Sequence, residues 1–168
     1  TVKSFGGVYE PTRANDNIPP HLHQTRWCTE KAIEFIDNNR GENQPWLLSV
    51  NPFDPHAAFD PPYEYFKRFQ VEAMPGAHFE EGDLGHQQKL LDARVDFQSR
   101  PQHPDVWEDK LIQAAYYAMI EQVDHEFGRL LDHLDTIGER ENTMVVFMSD
   151  HGEALCDHGL LLKGCRFF

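Results

Sequence analysis

Apolar residues recur every three or four positions in two stretches of the chain, and this spacing predicts two amphipathic helices. The first is predicted over residues 26–39, with Thr25 or Thr29 as its N-cap. The second is predicted over residues 105–137, beginning with an acidic capping box and ending at Gly138 as its C-cap. Its apolar stripe has the spacing of a helix face that packs against a core.

Two short apolar runs, residues 45–51 and 143–147, predict buried strands because they are too short for helices. Residues 1–24 predict a surface loop, and the polar stretch between the strands predicts one short helix near residues 63–69 and no regular structure after it. Helix, strand, long insertion, helix, strand is the order typical of parallel α/β folds. We therefore expect both strands to lie parallel in one sheet, with the long helix packed across it.

Composition narrows the range of partners. A net charge of −13 over 168 residues disfavours nucleic acids and anionic membranes as partners. No segment approaches the roughly 20 apolar residues of a membrane span. The length suits one domain or part of a larger one. None of the three cysteines has Cys-x-x-Cys spacing, so a zinc ribbon is disfavoured.

The polar residues that follow the second predicted strand are the main candidates for chemistry. Asp150 and His151 would lie at the carboxyl end of that strand, where open α/β sheets build their sites. A carboxylate is a hard oxygen ligand for a metal ion, and Gly152 permits the sharp turn that brings both side chains to one ion. Lys163 offers a cation for an anionic substrate. The alternative is a strand that ends in an ordinary polar turn.

Three segments, taken together and in this order, resemble the sulfatase family within the alkaline-phosphatase superfamily of ester hydrolases. The segment at the second strand is Ser149-Asp150-His151-Gly152-Glu153, continued by Asp157-His158-Gly159 and Lys163-Gly164. The upstream segment is residues 51–62, in which the pair Pro55-His56 precedes the Pro61-Pro62 turn. The third is the helical segment of residues 116–131.

The resemblance implies an α/β fold, an alkaline-phosphatase/sulfatase-like parallel-sheet sandwich, of which residues 1–168 form an internal portion of a single catalytic domain. It also implies a sulfuric ester hydrolase that acts on a sulfated small molecule or glycan in a periplasmic, secreted or lysosomal location. Sulfatases carry a Cys-or-Ser-x-Pro-x-Arg motif whose first residue becomes formylglycine, and this chain lacks that motif. We therefore expect the nucleophile and other missing parts of the domain to come from outside the chain, and the isolated chain to be inactive.

The family's site residues are carried over position by position. Asp150 and His151 correspond to ligands of a divalent metal, with calcium the first choice and manganese or zinc open because imidazole is a softer ligand. His56 corresponds to a residue that binds the sulfate ester and protonates the leaving oxygen. Lys163 would bind a nonbridging sulfate oxygen. His158 would shape the pocket or orient a neighbour.

Two other interpretations remain open at this point. A phosphonate or phosphate ester hydrolase of the same superfamily shares the Asp-His-Gly segment and the lysine. A truncated remnant without catalytic function would keep the fold and bind a metal weakly. Each of the proposed site residues also has a purely structural alternative, such as turn capping by Asp150 or an exposed loop position for Lys163.

Overall fold

The described part of the chain is mainly helical. In this computed structural model, residues 4–5, 8–9, 18–41, 45–93 and 100–163 are described. The α-helices are α1 (Gln24–Asn39), α2 (Tyr63–Phe66), α3 (Asp83–Asp92), α4 (Pro104–Trp107) and α5 (Asp109–Thr136). Single 3-10 turns lie at Pro20–Leu22, Val71–Ala73, Arg140–Asn142 and Asp157–Gly159. The strands β1 (Ser4–Phe5) and β2 (Val8–Tyr9) pair antiparallel, within the segment predicted to be a loop.

Helix α1 forms where its apolar spacing predicts it, but its N-cap is neither Thr25 nor Thr29. The cap is His23, whose Nδ1 accepts a hydrogen bond from the backbone N–H of Thr25 at 3.4 Å. The hydroxyl of Thr25 is committed elsewhere, since it donates to the carboxylate of Asp54. A histidine ring nitrogen thus satisfies one of the free N–H groups at the start of the helix.

The long helix α5 begins later than predicted. The expected capping box from Asp105 to Glu108 is wrong, because residues 104–107 form the separate short helix α4, capped by the His103 ring. Glu108 then adopts a left-handed conformation, with φ of 54°, so the helical path restarts at Asp109. The predicted end is confirmed, since Gly138 follows the final residues with φ of +75° and its N–H donates to Asp135 O.

The core lies between the first half of α5 and two distant segments of the chain. Ile112, Ala115 and Met119 of α5 pack there. From upstream, Phe59 enters the same cluster, and its ring meets that of Tyr116 edge-on at 6.0 Å. From the end of the chain come Cys156, Leu161 and Leu162. The segment that carries His56 and the segment that carries Lys163 therefore share one core.

The second half of α5 packs on α1 through charged groups. Glu126 of α5, with a side chain only 5% exposed, lies 2.6 Å from Arg129 Nη1 and 3.4 Å from Arg26 Nη1. Glu30 of α1 completes the ring, since its Oε1 lies 2.7 Å from Arg26 Nε and 2.8 Å from Arg129 Nη2. Because acids and bases alternate around the ring, each charge has two partners of opposite sign.

The two apolar runs predicted as buried strands form no strand among the residues that the structure describes. Leu47 in the first run is 93% exposed, and Met144 in the second is 90% exposed. The predicted parallel sheet is therefore not present in these ranges. A strand is held by backbone hydrogen bonds to a neighbouring strand, and neither run meets one there. The second run lies along α5, where the rings of Phe147 and Phe127 are 5.2 Å apart.

The middle of the chain is more regular than predicted. The short helix near residues 63–69 is confirmed as α2. After it, a 3-10 turn forms at Val71–Ala73 and helix α3 forms at Asp83–Asp92, although the apolar residues there show no sustained spacing. Residues 94–99 lie outside the described part. Across the ranges that the structure describes, no helix combines the length and the apolar composition needed to cross a membrane.

Candidate functional site

Asp150 and His151 lie beside each other and are open to solvent. Oδ2 of Asp150 is 3.5 Å from Nε2 of His151, and the Asp150 side chain is 86% exposed. The backbone N–H of His151 also donates to Asp150 Oδ1 at 2.9 Å. This bond folds the carboxylate over the following peptide, so two adjacent residues direct their side chains to one side of the chain. The backbone bends at Asp150, and Gly152, the residue expected to permit a sharp turn here, does not adopt a positive φ.

The other ring nitrogen of His151 sets its chemistry. Nδ1 lies 2.9 Å from the carbonyl oxygen of Gly152. A carbonyl oxygen only accepts, so Nδ1 must carry the proton in this hydrogen bond. In the neutral ring the lone pair is then on Nε2, the atom that faces Asp150. A histidine fixed in this way by a backbone carbonyl is the arrangement that metal-binding histidines commonly adopt.

A tightly closed loop follows this pair. Leu155, Cys156 and His158 have φ of 49°, 77° and 53°, which is unusual for residues other than glycine. The N–H of Leu155 donates to Leu161 O at 3.2 Å, and the N–H of Cys156 donates to Leu160 O at 2.7 Å. These bonds pair the two arms of the loop in antiparallel register. Continued outward by two residues, that register places residue 153 opposite residue 163.

Glu153 and Lys163 meet at this position. Lys163 Nζ donates to Glu153 Oε1 at 2.7 Å, and the two side chains are 11% and 4% exposed, for the lysine and the glutamate respectively. The second carboxylate oxygen, Oε2, is buried and has no hydrogen-bond partner among the described residues. The negative charge of Glu153 also helps to raise the pKa of Tyr116, although burial of that phenol contributes more. Lys163 is thus a held cation rather than an exposed loop lysine.

His56 lies exposed on the turn that precedes Phe59. Its ring stacks obliquely on Phe53, with centroids 4.7 Å apart. The backbone N–H of His56 donates to Phe53 O at 3.1 Å. Nδ1 contacts the carbonyl oxygen of Ala57, so Nδ1 carries the proton in that hydrogen bond as well. In the neutral ring the lone pair of His56 is therefore on Nε2.

A buried carboxylate anchors this turn to α1. Asp54 accepts a hydrogen bond of 2.7 Å from the hydroxyl of Thr25, and His23 Nδ1 lies 3.5 Å from the same oxygen. Burial raises the pKa of Asp54, and the Thr25 hydrogen bond and the nearby His23 oppose that rise. The turn carrying His56 is consequently fixed at its beginning by Asp54 and at its end by Phe59 in the core.

His158 is attached to a different part of the molecule. Its Nδ1 lies 3.2 Å from Asp83 Oδ2 at the start of α3, and its ring packs edge-on against His78 at 5.2 Å. Its N–H donates to His78 O at 2.8 Å. The hydrogen bonds of Asp83, first to the backbone of Glu80 and then to His158, lower the pKa of this carboxyl. These contacts favour a structural role in holding the loop to α3.

The cysteines that the structure describes are poor nucleophiles. Burial, reinforced by Asp109 and Asp157, raises the pKa of Cys156 to about 12. Burial and the charge of Asp54 also raise the pKa of Cys28. The thiolate is the reactive form of cysteine, so neither thiol is activated at neutral pH.

The predicted site residues fall into three local groups. Asp150 lies with His151, Lys163 lies with Glu153, and His56 lies on a turn that shares the core with the Lys163 loop. Within the described ranges, no set of three or more histidine, cysteine, aspartate or glutamate side chains is placed to hold a metal ion. Convergence of all these residues on one cleft remains a prediction.

Sequence reasoning missed two residues of this region. Glu153 belongs to the motif, but a glutamate ten positions before a lysine meets it only if a tight loop lies between them, and the sequence does not predict that loop. Asp54 lies in the upstream segment, where the sequence does not predict its burial. The available signal was Thr25, a short polar residue near the start of an amphipathic helix, but spacing does not connect it to Asp54.

Similarity to known proteins extends over nearly the whole chain. The family model described as Sulfatase matches residues 2–165. An arylsulfatase of Clostridium perfringens is 31% identical over 147 residues, covering 88% of this chain and 30% of the relative. A multifunctional alkaline phosphatase superfamily protein of Trinickia caryophylli is 28% identical over 170 residues, covering 94% of this chain and 32% of the relative. The chain thus spans about a third of the length of these relatives.

A solved structure supports the fold. The phosphonate monoester hydrolase from Silicibacter pomeroyi superposes with a TM-score of 0.67, covering 95% of this chain and 35% of that one. Sequence identity over this match is 20%, so the likeness concerns the fold. The fold of the chain is therefore similar to that of about a third of this solved structure.

Proposed function

Because the chain belongs to the sulfatase family, we propose that it is an internal portion of a single sulfatase-like catalytic domain, residues 1–168, in a sulfuric ester hydrolase. In this proposal it contributes metal ligands and contacts to the sulfate of a sulfated small molecule or glycan. The family membership supports a hydrolase as the parent protein. A periplasmic, secreted or lysosomal location is part of the same proposal.

The geometry of Asp150 and His151 carries the proposal. Oδ2 of the aspartate and Nε2 of the histidine lie 3.5 Å apart on one side of the chain. The bond from Nδ1 of His151 to the Gly152 carbonyl leaves the Nε2 lone pair available. Two metal-ligand atoms in this arrangement fit a shared cation better than they fit a turn cap, because a turn cap would need the carboxylate alone.

These two residues would hold a divalent metal, with calcium as the first choice and manganese or zinc as alternatives. When bound, the metal would supply positive charge beside the sulfate oxygens. Calcium takes six to eight oxygen ligands, so most of its coordination must come from elsewhere in the domain. Asp150 and His151 fit one part of such a site.

Two further side chains would contact the substrate. Lys163, already charged and held by Glu153, would donate to a nonbridging sulfate oxygen. His56 would protonate the leaving oxygen through Nε2, since its Nδ1 is engaged with the Ala57 carbonyl. His158 is better suited to shaping the site from the α3 side through its contacts with Asp83 and His78.

The rest of the domain would supply what this chain lacks. A formylglycine nucleophile is expected outside the chain. We also propose that residues 45–51 and 143–147 become parallel strands of the central sheet when neighbouring strands are supplied, because both runs are apolar while Leu47 and Met144 are exposed here. Hydrogen exchange tests this second point. Amides in both runs should exchange slowly in the full-length protein and rapidly in the 168-residue chain.

A second candidate function is a phosphonate or phosphate ester hydrolase. The observation that favours it is the superposition on a phosphonate monoester hydrolase. A non-catalytic remnant is the third possibility. All three predict the same fold for these residues, so they are separated by substrate preference and by turnover.

The experiment uses the full natural open reading frame that encodes this chain, matured by a formylglycine-generating enzyme. Turnover of an aryl sulfate and of an aryl phosphonate monoester is compared under identical metal conditions. Higher kcat/KM on the sulfate supports the proposal, and higher kcat/KM on the phosphonate supports the second candidate. Absence of turnover on both supports the remnant. The 168-residue chain alone should show no turnover above a metal-only control.

Asp150→Ala in the full-length protein tests the residues themselves. It should abolish turnover and weaken metal binding measured by calorimetry. The matched control is Asp135→Ala, which removes an exposed carboxylate from the last turn of α5. Turnover that survives Asp150→Ala at the level of this control would refute the assignment of Asp150 to the metal.

A further inference from the structure

We propose that Glu153 is a specificity-determining residue, which positions the Lys163 ammonium and makes the site favour monoanionic esters over dianionic ones. This inference rests on the proposed function, because it requires Lys163 to contact the substrate. It concerns a residue outside the site residues proposed above. The argument depends on the geometry of the loop, the burial of the pair and the charge that the pair presents.

The loop fixes where the two side chains meet. Its paired backbone bonds, from Leu155 to Leu161 and from Cys156 to Leu160, set the register that places Glu153 opposite Lys163. The residues between them that enter the core hold the loop in place, since Cys156 and Leu161 are fully buried. The Lys163 ammonium therefore has a defined position before any substrate arrives, which lowers the entropic cost of binding.

Burial makes the ion pair persistent. Glu153 Oε1 is 2.7 Å from Lys163 Nζ, and the glutamate side chain is only 4% exposed. Attraction between unlike charges is several times stronger at such a site than in water. A lysine ammonium has three donors, and Glu153 takes one of them, which leaves donors for the oxygens of a substrate.

The pair also changes the net charge that a substrate meets. Lys163 alone would present one positive charge, whereas Lys163 with Glu153 presents a sum near zero. The carboxylate repels every negative charge on a bound ester, so a dianionic phosphate monoester is repelled about twice as strongly as a monoanionic sulfate ester at the same position. The unpartnered Oε2 of Glu153 strengthens this effect, since no donor among the described residues neutralises it.

The test uses the full-length protein, matured as above, and compares an aryl sulfate with the matching aryl phosphate at a pH where the phosphate is dianionic. The measured quantity is the ratio of kcat/KM for phosphate to kcat/KM for sulfate. E153Q removes the charge and keeps the size and a carbonyl acceptor for Lys163. It should raise this ratio by roughly tenfold or more, because the repulsion of the second negative charge is lost.

Two other variants separate charge from packing. E153D keeps the charge on a shorter side chain, so it should lower both rates and leave the ratio unchanged. E34Q is the matched control, since Glu34 pairs with Lys31 on the exposed face of α1, and it should change neither rate nor ratio. If E153Q does not fold, E153A must shift the ratio in the same direction. If neither folds, the wild-type protein must bind a sulfate ester more tightly than the dianionic phosphate ester as competitive inhibitors.

The outcomes distinguish this inference from the function on which it rests. K163A that leaves both values of kcat/KM unchanged overturns the substrate role of Lys163 in the proposed function. K163A that lowers both values, together with E153Q that lowers them equally, overturns only the inference, because equal loss means that Glu153 acts through packing alone. An increased ratio in E153Q with reduced turnover in K163A supports both.

Discussion

The hydroxyl of Thr25 in α1 donates a 2.7 Å hydrogen bond to Oδ2 of Asp54, at the start of the turn that carries His56. Both side chains are buried, and they are 29 positions apart in the sequence. The bond therefore fixes the turn that carries His56, a candidate catalytic residue, relative to α1. His23, which caps α1, stands beside the same carboxylate and completes the connection.

Asp54→Ala should destabilise the chain by about 1–3 kcal/mol, because the buried hydroxyl of Thr25 loses its acceptor. Asp54→Asn keeps an acceptor oxygen and should cost less. Urea unfolding of the 168-residue chain measures both changes. Equal losses in the two variants would show that the hydrogen bond does not matter.

The same residue predicts a pH dependence. Burial raises the pKa of Asp54 above its ordinary value of 3.8, so the folded chain binds this proton more readily than the unfolded chain. The contribution of Asp54 to stability is then fully present below pH 3.8 and is lost as the pH rises through the raised pKa. The stability of wild type relative to Asp54→Asn should therefore fall as the pH rises above 3.8. A difference independent of pH would contradict the assignment.

Glu126→Ala should destabilise the chain by about 2–3 kcal/mol. Glu126 is buried between Arg26 and Arg129, and its removal leaves the guanidinium groups with one partner, Glu30. The arginines retain access to water, which keeps the loss below that of a fully buried pair. Glu34→Ala, which breaks an exposed pair with Lys31, is the control and should cost less than about 0.5 kcal/mol. Similar unfolding midpoints for the two variants would indicate that the ring of four charged side chains adds nothing to the stability of the chain.

Gly159→Ala and Gly138→Ala should differ, although both glycines have a positive φ, of 77° and 75°. At Gly138 a Cβ meets nothing within 4 Å, so the cost is that of the left-handed backbone, about 1 kcal/mol. At Gly159 a Cβ would lie 2.8 Å from the Gln102 carbonyl oxygen and from Leu84 Cδ2. That variant should lose about 3 kcal/mol or more. Thermal unfolding of both variants decides whether the close packing of this loop is real.

Cys156 should resist alkylation while the chain is folded. With a pKa of about 12 and a buried side chain, its thiolate fraction at pH 8 is roughly 10⁻⁴. Mass spectrometry of peptides after treatment with iodoacetamide should find Cys28, which is partly exposed, modified before Cys156. Unfolding in urea should make Cys156 as reactive as Cys28. Rapid modification of Cys156 in the folded chain would contradict its position in the core.

Periodicity predicted the two main helices, because α1 and α5 are long enough for their apolar faces to be recognised. It misplaced the beginning of α1 because His23 is the cap, and histidine is not among the residues usually preferred there. It misplaced the beginning of α5 because the left-handed Glu108 separates the short helix α4 from α5. The strands were inferred from apolar character alone. Apolar character shows that a run suits a buried position in a sheet, but a strand forms only beside another strand. Among the described residues no strand lies beside either run.

The candidate site was only partly accessible from the sequence. Asp150 and His151 are adjacent, so the backbone bend at Asp150 decides their relative geometry, whereas Gly152, expected to permit a turn, does not adopt a positive φ. The partner of Lys163 depends instead on a loop register created by left-handed conformations at Leu155, Cys156 and His158. Leu155 and Cys156 do not favour that conformation by themselves, so the meeting of Glu153 and Lys163 is imposed by packing of the loop.

The exposed apolar run at residues 143–148 has a consequence for handling the chain. Thr143-Met-Val-Val-Phe-Met148 contains six consecutive residues without charge, proline or glycine, and most of their side chains face solvent. Such a segment is a template for intermolecular β pairing and amyloid-like aggregation. During synthesis, the helical part can become compact before a neighbouring strand is present to pair with this segment. Solubility will therefore be limited by six residues that lie outside the candidate chemistry, and a charged substitution at Val146 is the place to begin when the chain is produced alone.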